Sequence, residues 1–197
     1  MLGTAFPGIG LMTPDRQSKL EGLHDEIKSC TACRLHENRT HAVPGEGGTH
    51  APIMMVGEAP GKEEDLSGRP FCGPAGDFFD LLLADAGIPR DDLYVTSAVK
   101  CRPPGNRNPR MDELETCREL WLWQQIELVD PDLIVLLGKV PALQILGERG
   151  RLRDLHGNLR TLNGRHYLPT YHPAAAMRFP EPEEGLREDF QQLADFL

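Results

Sequence analysis

The chain has 197 residues, the size of one ordinary domain or of two small ones. Apolar residues make up 40% of it and charged residues 26%, a composition that excludes whole-chain disorder and predicts a globular protein. The net charge of −9 argues against a uniformly basic surface for nucleic acid, but it leaves room for a local basic patch.

Predicted strands and helices alternate along the chain. Four short apolar runs predict buried strands: 52–56, 93–99, 133–137 and 166–171. Helical patterns with stop signals cover four further segments: 77–86, 111–129, 139–146 and 185–197. The alternation predicts an α/β fold with a parallel sheet between two layers of helices. We interpret 19–197 as a single domain and 1–18 as a flexible N-terminal extension.

The chain is expected to stay in the cytoplasm. No segment approaches the roughly 18 consecutive apolar residues that a membrane span requires. The N-terminus has neither the charged region nor the apolar region of a secretory signal. In a reducing compartment, ligation of a metal or cluster is a better interpretation than disulfide formation for most of the five cysteines.

Four of the cysteines are candidate ligands. Cys30 and Cys33 form a short knuckle, Cys101 follows a predicted strand, and Cys117 lies on the inner face of a predicted helix. Their spacing leaves three alternatives open. A [4Fe–4S] cluster tolerates irregular spacing, structural zinc usually pairs two short knuckles, and the last two cysteines could simply be buried as small apolar residues. Cys72 stands apart in a loop and is not expected to be a ligand.

The loops that follow the predicted strands carry the other candidate residues, because the carboxyl ends of parallel strands share one edge of a sheet. The first loop, 57–76, has five glycines and three prolines, which favour tight turns and close approach of the backbone to a ligand. It contains Glu58 at a strand end and Phe71, which is either a stacking platform or an ordinary core residue. His172 ends the last strand, on the same edge as Glu58.

Basic residues are segregated from the acidic ones. The segment 100–110 has four basic residues and no acid, and 149–165 has five arginines against one aspartate. Such runs can bind phosphates despite the negative total charge, although a single run is more often a solvated face.

Five short motifs, at 57–61, 68–71, 99–104, 136–138 and 171–173, closely resemble those of the family 4 (iron–sulfur, thermostable-type) uracil-DNA glycosylases. The resemblance covers roughly residues 20–195 and includes the four candidate cysteines. It implies a three-layer αβα sandwich with a central four-stranded parallel sheet. It also implies an enzyme that hydrolyses the N-glycosidic bond of deoxyuridine in DNA, releasing uracil and leaving an abasic site. We expect such an enzyme to act as a monomer on uracil-containing DNA and not to associate with a membrane.

The resemblance assigns a role to each candidate residue. It implies that Glu58 and His172 are catalytic, with Glu58 directing a water molecule and His172 donating a hydrogen bond to the departing uracil. The other implied sets are listed here: uracil binding by Gly57, Glu58, Phe71, Ser97 and His172; DNA contact by Arg102, Arg107, Met177 and Arg178; and ligation of a structural [4Fe–4S] cluster by Cys30, Cys33, Cys101 and Cys117.

One position departs from the family pattern. Where members usually carry an asparagine that reads the uracil edge, this chain has Ser97, whose hydroxyl is shorter and less discriminating. We therefore expect slower excision or altered base specificity. Two other functions are considered: a non-catalytic protein that binds uracil-containing or damaged DNA, and a zinc-stabilised nucleotide-binding domain. The binding protein of this superfamily uses a Lys-Arg-Arg-Ile-His insertion, which this chain lacks.

Overall fold

A five-stranded sheet forms the centre of the computed structural model, which describes residues 15–197. The strands are β1 Ile53–Gly57, β2 Leu93–Ser97, β3 Leu133–Leu137, β4 Arg160–Leu162 and β5 Arg165–Thr170. Their order across the sheet is β2-β1-β3-β5-β4. Strands β2, β1, β3 and β5 are mutually parallel, and β4 pairs antiparallel with β5. The four predicted strands are therefore confirmed; β3 has the predicted boundaries, and those of the other three differ by one or two residues.

The expectation of a four-stranded sheet is wrong by one strand. Strand β4 joins β5 through Asn163 and Gly164, which both have positive φ values, of 52° and 80°. Two consecutive residues of this kind form the tight hairpin turn that matches the twist of paired strands. Strand β4 has no buried residue. It therefore lacks the apolar run that marks the other strands in the sequence.

Helices cover both faces of the sheet. They are α1 Arg16–Ser29, α2 Lys62–Ser67, α3 Pro74–Asp85, α4 Met111–Cys117, α5 Trp123–Val129, α6 Lys139–Leu146, α7 Leu152–Leu155, α8 Pro173–Ala176 and α9 Pro180–Gln191. The helix predicted over 111–129 is interrupted by a π-helical turn, Arg118–Leu122, between α4 and α5. The predicted last helix corresponds to the end of α9 and the 3₁₀ turn Gln192–Phe196.

Local signals fix several helix ends. The Asp15 side chain caps α1 by accepting a hydrogen bond from the Ser18 amide at 2.7 Å. Gly147 ends α6 in the left-handed conformation, at the predicted stop. Residues 16–18, placed in the extension by the sequence analysis, belong to α1. Residues 1–14 lie outside the described part, so the flexible extension stays a prediction.

The alternating side chains of each strand explain the two helical layers. On β1, Ile53 and Met55 pack in one apolar cluster with residues of α3 and α9. Met54 and Val56 point the other way and pack in a second cluster with residues of α1, α5 and α6. Because both faces are buried, the strands read as continuous apolar runs in the sequence. Among residues 15–197, no helix is long and apolar enough to cross a membrane.

Candidate active site and cysteine cavity

A cleft of about 710 Å³ lies beyond the carboxyl ends of the parallel strands. Its lining includes five residues predicted from the sequence: Glu58, Arg107, His172, Met177 and Arg178. These residues come from segments up to 120 positions apart in the chain, because 178 − 58 = 120. The parallel topology brings them together, since each segment follows a strand that ends at the same edge.

Gly57, Phe71 and Ser97 also lie together at this edge. Gly57 and Ser97 are register partners at the last positions of β1 and β2. A Cβ on Gly57 would stand 2.8 Å from Phe71 Cζ and 3.3 Å from Ser97 Oγ, so the ring and the hydroxyl both pack against the glycine. Only 5% of Phe71 is exposed. The absence of a side chain at Gly57 is what allows the aromatic ring to lie on the end of the strand.

The Phe71 ring connects this group to His172. The two ring centroids are 5.8 Å apart, with planes inclined by 28°. On its other side Phe71 packs against Phe79 of α3, at a centroid distance of 4.9 Å. A planar base inserted between two rings needs roughly 7 Å between them, at about 3.5 Å per contact. The 5.8 Å spacing therefore leaves no room for a base between Phe71 and His172.

His172 is held in a defined orientation as the N-cap of α8. Its Nδ1 accepts a hydrogen bond from the Ala174 amide at 3.1 Å. This bond requires a lone pair on Nδ1, so the neutral ring carries its proton on Nε2. Burial lowers the pKa of His172 to about 4. At neutral pH the side chain is therefore an uncharged Nε2–H donor at the cleft.

Glu58 and Glu64 are the two carboxylates that line the cleft, and Glu64 already binds two backbone amides. Burial raises the pKa of the Glu58 carboxyl above the ordinary value. Within residues 15–197 no hydrogen bond or ion pair is formed by this carboxyl, so both oxygens are available to a ligand. A half-buried carboxylate beside a neutral imidazole can activate a nucleophile on one side while the imidazole stabilises charge on the other.

The residues predicted to contact DNA differ in whether their side chains are exposed or already bound within the protein. Met177 is 50% exposed and Arg178 is exposed, and both line the cleft. Arg102 does not line it and donates from Nε to Asn106 Oδ1 at 2.6 Å. Arg107 forms two hydrogen bonds, of 2.7 and 2.8 Å, with the buried carboxylate of Glu113. Its charge is already neutralised, which favours a structural role over phosphate contact.

The second basic run, 149–165, fits the solvated-face interpretation. Arg165 pairs with Glu127 and Asp130, and Arg160 lies 3.7 Å from Glu148. Because β5 begins at Arg165, this residue lies at the amino end of the sheet, opposite the cleft. The run therefore gives no support to a second phosphate-binding patch.

All four predicted ligand cysteines line one cavity. Cys30 follows α1, Cys33 precedes a 3₁₀ turn at Arg34–Glu37, Cys101 lies shortly after β2, and Cys117 ends α4. Cys72 lies elsewhere, within hydrogen-bonding distance of Ser67. In the part of the chain that the structure describes, no group of three or more His, Cys, Asp or Glu side chains is arranged to hold a metal ion.

The surroundings of the cavity fit a group bound by thiolates. Burial raises the pKa of Cys117 to about 12 and also raises that of Cys101, so bare thiols there stay protonated. Two cations oppose this effect. Arg39 donates to Cys101 Sγ at 2.9 Å, and the buried Lys100 ammonium lowers the pKa of Cys117 by its charge. Buried charge needs a partner, and thiolates bound to a metal or cluster would supply it.

Two residues near the site were given no individual role by the sequence analysis. Glu64 on α2 lines the cleft and binds two backbone amides, at Gly61 and Phe71. Lys100 lies next to Cys101 and donates to the Ser97 carbonyl at 2.7 Å. For Glu64, a glutamate at the third position of a helix that follows a glycine could have been noticed, because a glutamate there often binds the N-cap amide. For Lys100, burial was not readable from the sequence.

Comparison with known proteins is consistent with this site. Residues 44–194 match the model of the uracil DNA glycosylase superfamily. The chain is 42% identical over 186 residues to the Type-4 uracil-DNA glycosylase of Thermotoga maritima, covering 92% of this chain and 96% of the relative. It is 39% identical over 188 residues to that of Sulfurisphaera tokodaii, covering 89% and 84%. A Type-5 uracil-DNA glycosylase of Thermus thermophilus matches 66% of this chain at 35% identity, covering 68% of that protein. The chain therefore belongs to the Type-4 uracil-DNA glycosylases.

Proposed function

We propose that this chain hydrolyses the N-glycosidic bond of deoxyuridine in DNA, releasing uracil and leaving an abasic site as a step of DNA repair. The observation that carries the proposal is that Glu58 and His172 line one cleft while the Phe71 ring lies against His172, in a chain of this family. The enzyme would act as a monomer in the cytoplasm, where thiols stay reduced and DNA is accessible.

The uracil must leave the duplex to reach this cleft, as bases do in other enzymes that act on them. Its ring would stack on Phe71, against which the bare backbone of Gly57 already packs. The Ser97 hydroxyl lies beside the same point and would contact the edge of the base. Glu58 and His172 complete the uracil-binding set.

Bond cleavage leaves negative charge on the uracil and positive charge on the sugar. The Nε2–H of His172 would donate to a uracil oxygen and stabilise the anion as it forms. The neutral form suits this role, because a donor of fixed orientation provides the hydrogen bond without first having to gain a proton. The Glu58 carboxylate would orient the attacking water and favour the cationic sugar by its charge.

The DNA strand would be held by residues at the rim of the cleft. Arg178 would contact a phosphate, and Met177 would fill the gap that the extruded base leaves in the stack. Arg102 remains a phosphate candidate through its guanidinium nitrogens not bound to Asn106. We assign Arg107 a smaller part because its guanidinium is paired with Glu113.

We also propose that Cys30, Cys33, Cys101 and Cys117 hold a [4Fe–4S] cluster of structural role. Four thiols around one cavity, with Lys100 and Arg39 beside them, support this assignment. The bound cluster would supply covalent cross-links between three segments of the chain. It would thereby brace the segment after Cys101, which leads to Arg107 and the cleft.

The test of activity is incubation with an oligonucleotide that contains one uracil, followed by alkali to break the strand at abasic sites. The wild type should give strand scission, and His172→Ala and Glu58→Ala should lose most of it. Glu115→Ala, an exposed acidic residue on α4, is the matched control and should cleave as the wild type does. Tight binding of the uracil strand without scission by the wild type would instead identify a binding protein.

The test of the cluster is the composition of the anaerobically purified protein. A brown protein with equal amounts of iron and acid-labile sulfide supports it, and Cys117→Ser should lose both. Cys72→Ser, outside the cavity, should keep both. A colourless protein that contains zinc would contradict the assignment.

A further inference from the structure

We propose that Glu64 is a positioning residue that holds the backbone of Phe71, and with it the place of the ring against the base, by binding the Phe71 amide. The inference rests on the proposed function. It concerns how the stacking platform is kept in place, which neither the sequence motifs nor the family match assigns.

Phe71 has a backbone conformation that is unusual for its type. Its φ is +48°, in the left-handed region. Within residues 15–197 the other non-glycine residues with positive φ are Asn106, Asp130 and Asn163. Asparagine and aspartate tolerate this region, whereas a bulky residue in it is strained and persists only when its surroundings hold it. The stacking residue therefore needs specific contacts that keep it there.

Those contacts come from two sides. Glu64 Oε1 accepts the Phe71 amide hydrogen at 2.7 Å, and Glu64 Oε2 accepts that of Gly61 at 2.5 Å. Arg90 donates to the Pro70 carbonyl at 2.8 Å and to the Phe71 carbonyl at 3.4 Å. The peptide groups on both sides of the Phe71 Cα are thus fixed, and they set the direction in which the Cα–Cβ bond leaves the backbone.

The carboxylate is specific for this task because each of its oxygens has a different donor. Glutamine has nearly the same shape, but only one of its two terminal atoms can accept a hydrogen bond. In Glu64→Gln one of the two backbone amides would therefore face the NH2 group of the glutamine, which is also a donor, and would lose its hydrogen bond. We expect Phe71 to relax towards a negative φ, which moves its ring off Gly57 and away from the stacking position.

The test compares binding of uracil-containing and thymine-containing duplexes of the same sequence, in the His172→Ala background so that the substrate persists. Stacking of one base on an aromatic ring is large enough that Glu64→Gln should weaken uracil-specific binding by about tenfold. Binding of the thymine duplex should not change, because the phosphate contacts are intact. Glu63→Gln, the exposed neighbour on α2, should behave as the parent.

A double-mutant cycle separates positioning from general support of the loop. If Glu64 acts through the ring, Glu64→Gln should have no further effect once Phe71→Ala has removed the ring. The proposal would be overturned if Glu64→Gln weakened uracil-specific binding equally with Phe71 present and with Phe71→Ala, or if it weakened binding in neither case. If Glu64→Gln does not fold, Glu64→Asp is used, because its shorter side chain keeps the charge yet cannot reach both amides. Its uracil-specific loss should then match that of Phe71→Ala, and parental binding would refute the inference.

The failure of this inference is distinguishable from the failure of the proposed function. If the wild type releases no uracil, the proposed function fails whatever Glu64 does. If the wild type releases uracil and Phe71→Ala impairs binding while Glu64→Gln and Glu64→Asp do not, only the positioning role fails.

Discussion

Gly57→Ala should impair the enzyme by moving the Phe71 ring. The added Cβ would lie 2.8 Å from Phe71 Cζ and 2.9 Å from Cε2. Ordinary contacts between carbon atoms begin at about 3.5 Å, so the ring would have to retreat by roughly 0.7 Å. Gly57 is a strand residue with an ordinary φ, so alanine adds no backbone strain. The ring is backed by Phe79 at 4.9 Å and faces His172 at 5.8 Å. It therefore cannot move without disturbing the site.

The magnitude follows from the cost of overpacking. An extra methyl group in a well-packed place costs about 1–3 kcal/mol. If this cost is borne by the state in which the base is stacked, excision slows by about 5- to 150-fold. Single-turnover excision with enzyme in excess measures the effect directly, since product release does not then contribute to the rate.

Two variants make the Gly57→Ala experiment decisive. Gly22→Ala on α1 is the control, because a Cβ there meets no atom within 4 Å and Gly22 is exposed. It should leave excision unchanged. Gly57→Ala combined with Phe71→Ala should be no slower than Phe71→Ala alone, because the clash is gone. Excision by Gly57→Ala within twofold of the wild type would refute the steric reasoning.

Three other predictions follow from the site. Ser97→Asn should raise the single-turnover rate or the discrimination against other bases, and no gain in either would contradict the role given to this position. Above the His172 pKa of about 4, where that side chain is neutral, the excision rate should rise with pH through the raised pKa of Glu58 and then level off. Glu58→Gln should lack this rise over the same pH range, and a pH-independent wild type would contradict the prediction. Arg178→Ala should reduce the salt dependence of DNA binding by about one charge. Arg107→Ala should instead lower the free energy of unfolding, because the buried Glu113 carboxylate would keep the Arg110 amide and lose both hydrogen bonds from the Arg107 guanidinium. The reverse pattern would show that these two arginines were assigned wrongly.

The sequence by itself determined which segments form the main strands and that these strands run parallel; their order across the sheet came from the structure. Strands β1 and β3 are buried on both faces, so each is a continuous apolar run that can be recognised without any tertiary contact. The parallel arrangement then follows from the helices between strands, and with it the placement of Glu58 and His172 at one edge. These inferences need only local composition and the geometric rules of α/β sheets.

Only the tertiary structure decided the details that depend on contacts between separate segments. Strand β4 has no apolar run, and pairing with β5 and a two-residue turn create it. The backbone of Phe71, in its left-handed conformation, finds hydrogen-bond partners in Glu64 and Arg90. The pairing of Arg107 with Glu113 neutralises a charge that the sequence alone offered to DNA. In each case the identity of the residue is visible in the sequence. Its partner cannot be identified there, because the two residues lie in separate segments that become neighbours only when the chain packs, and no sequence pattern links them.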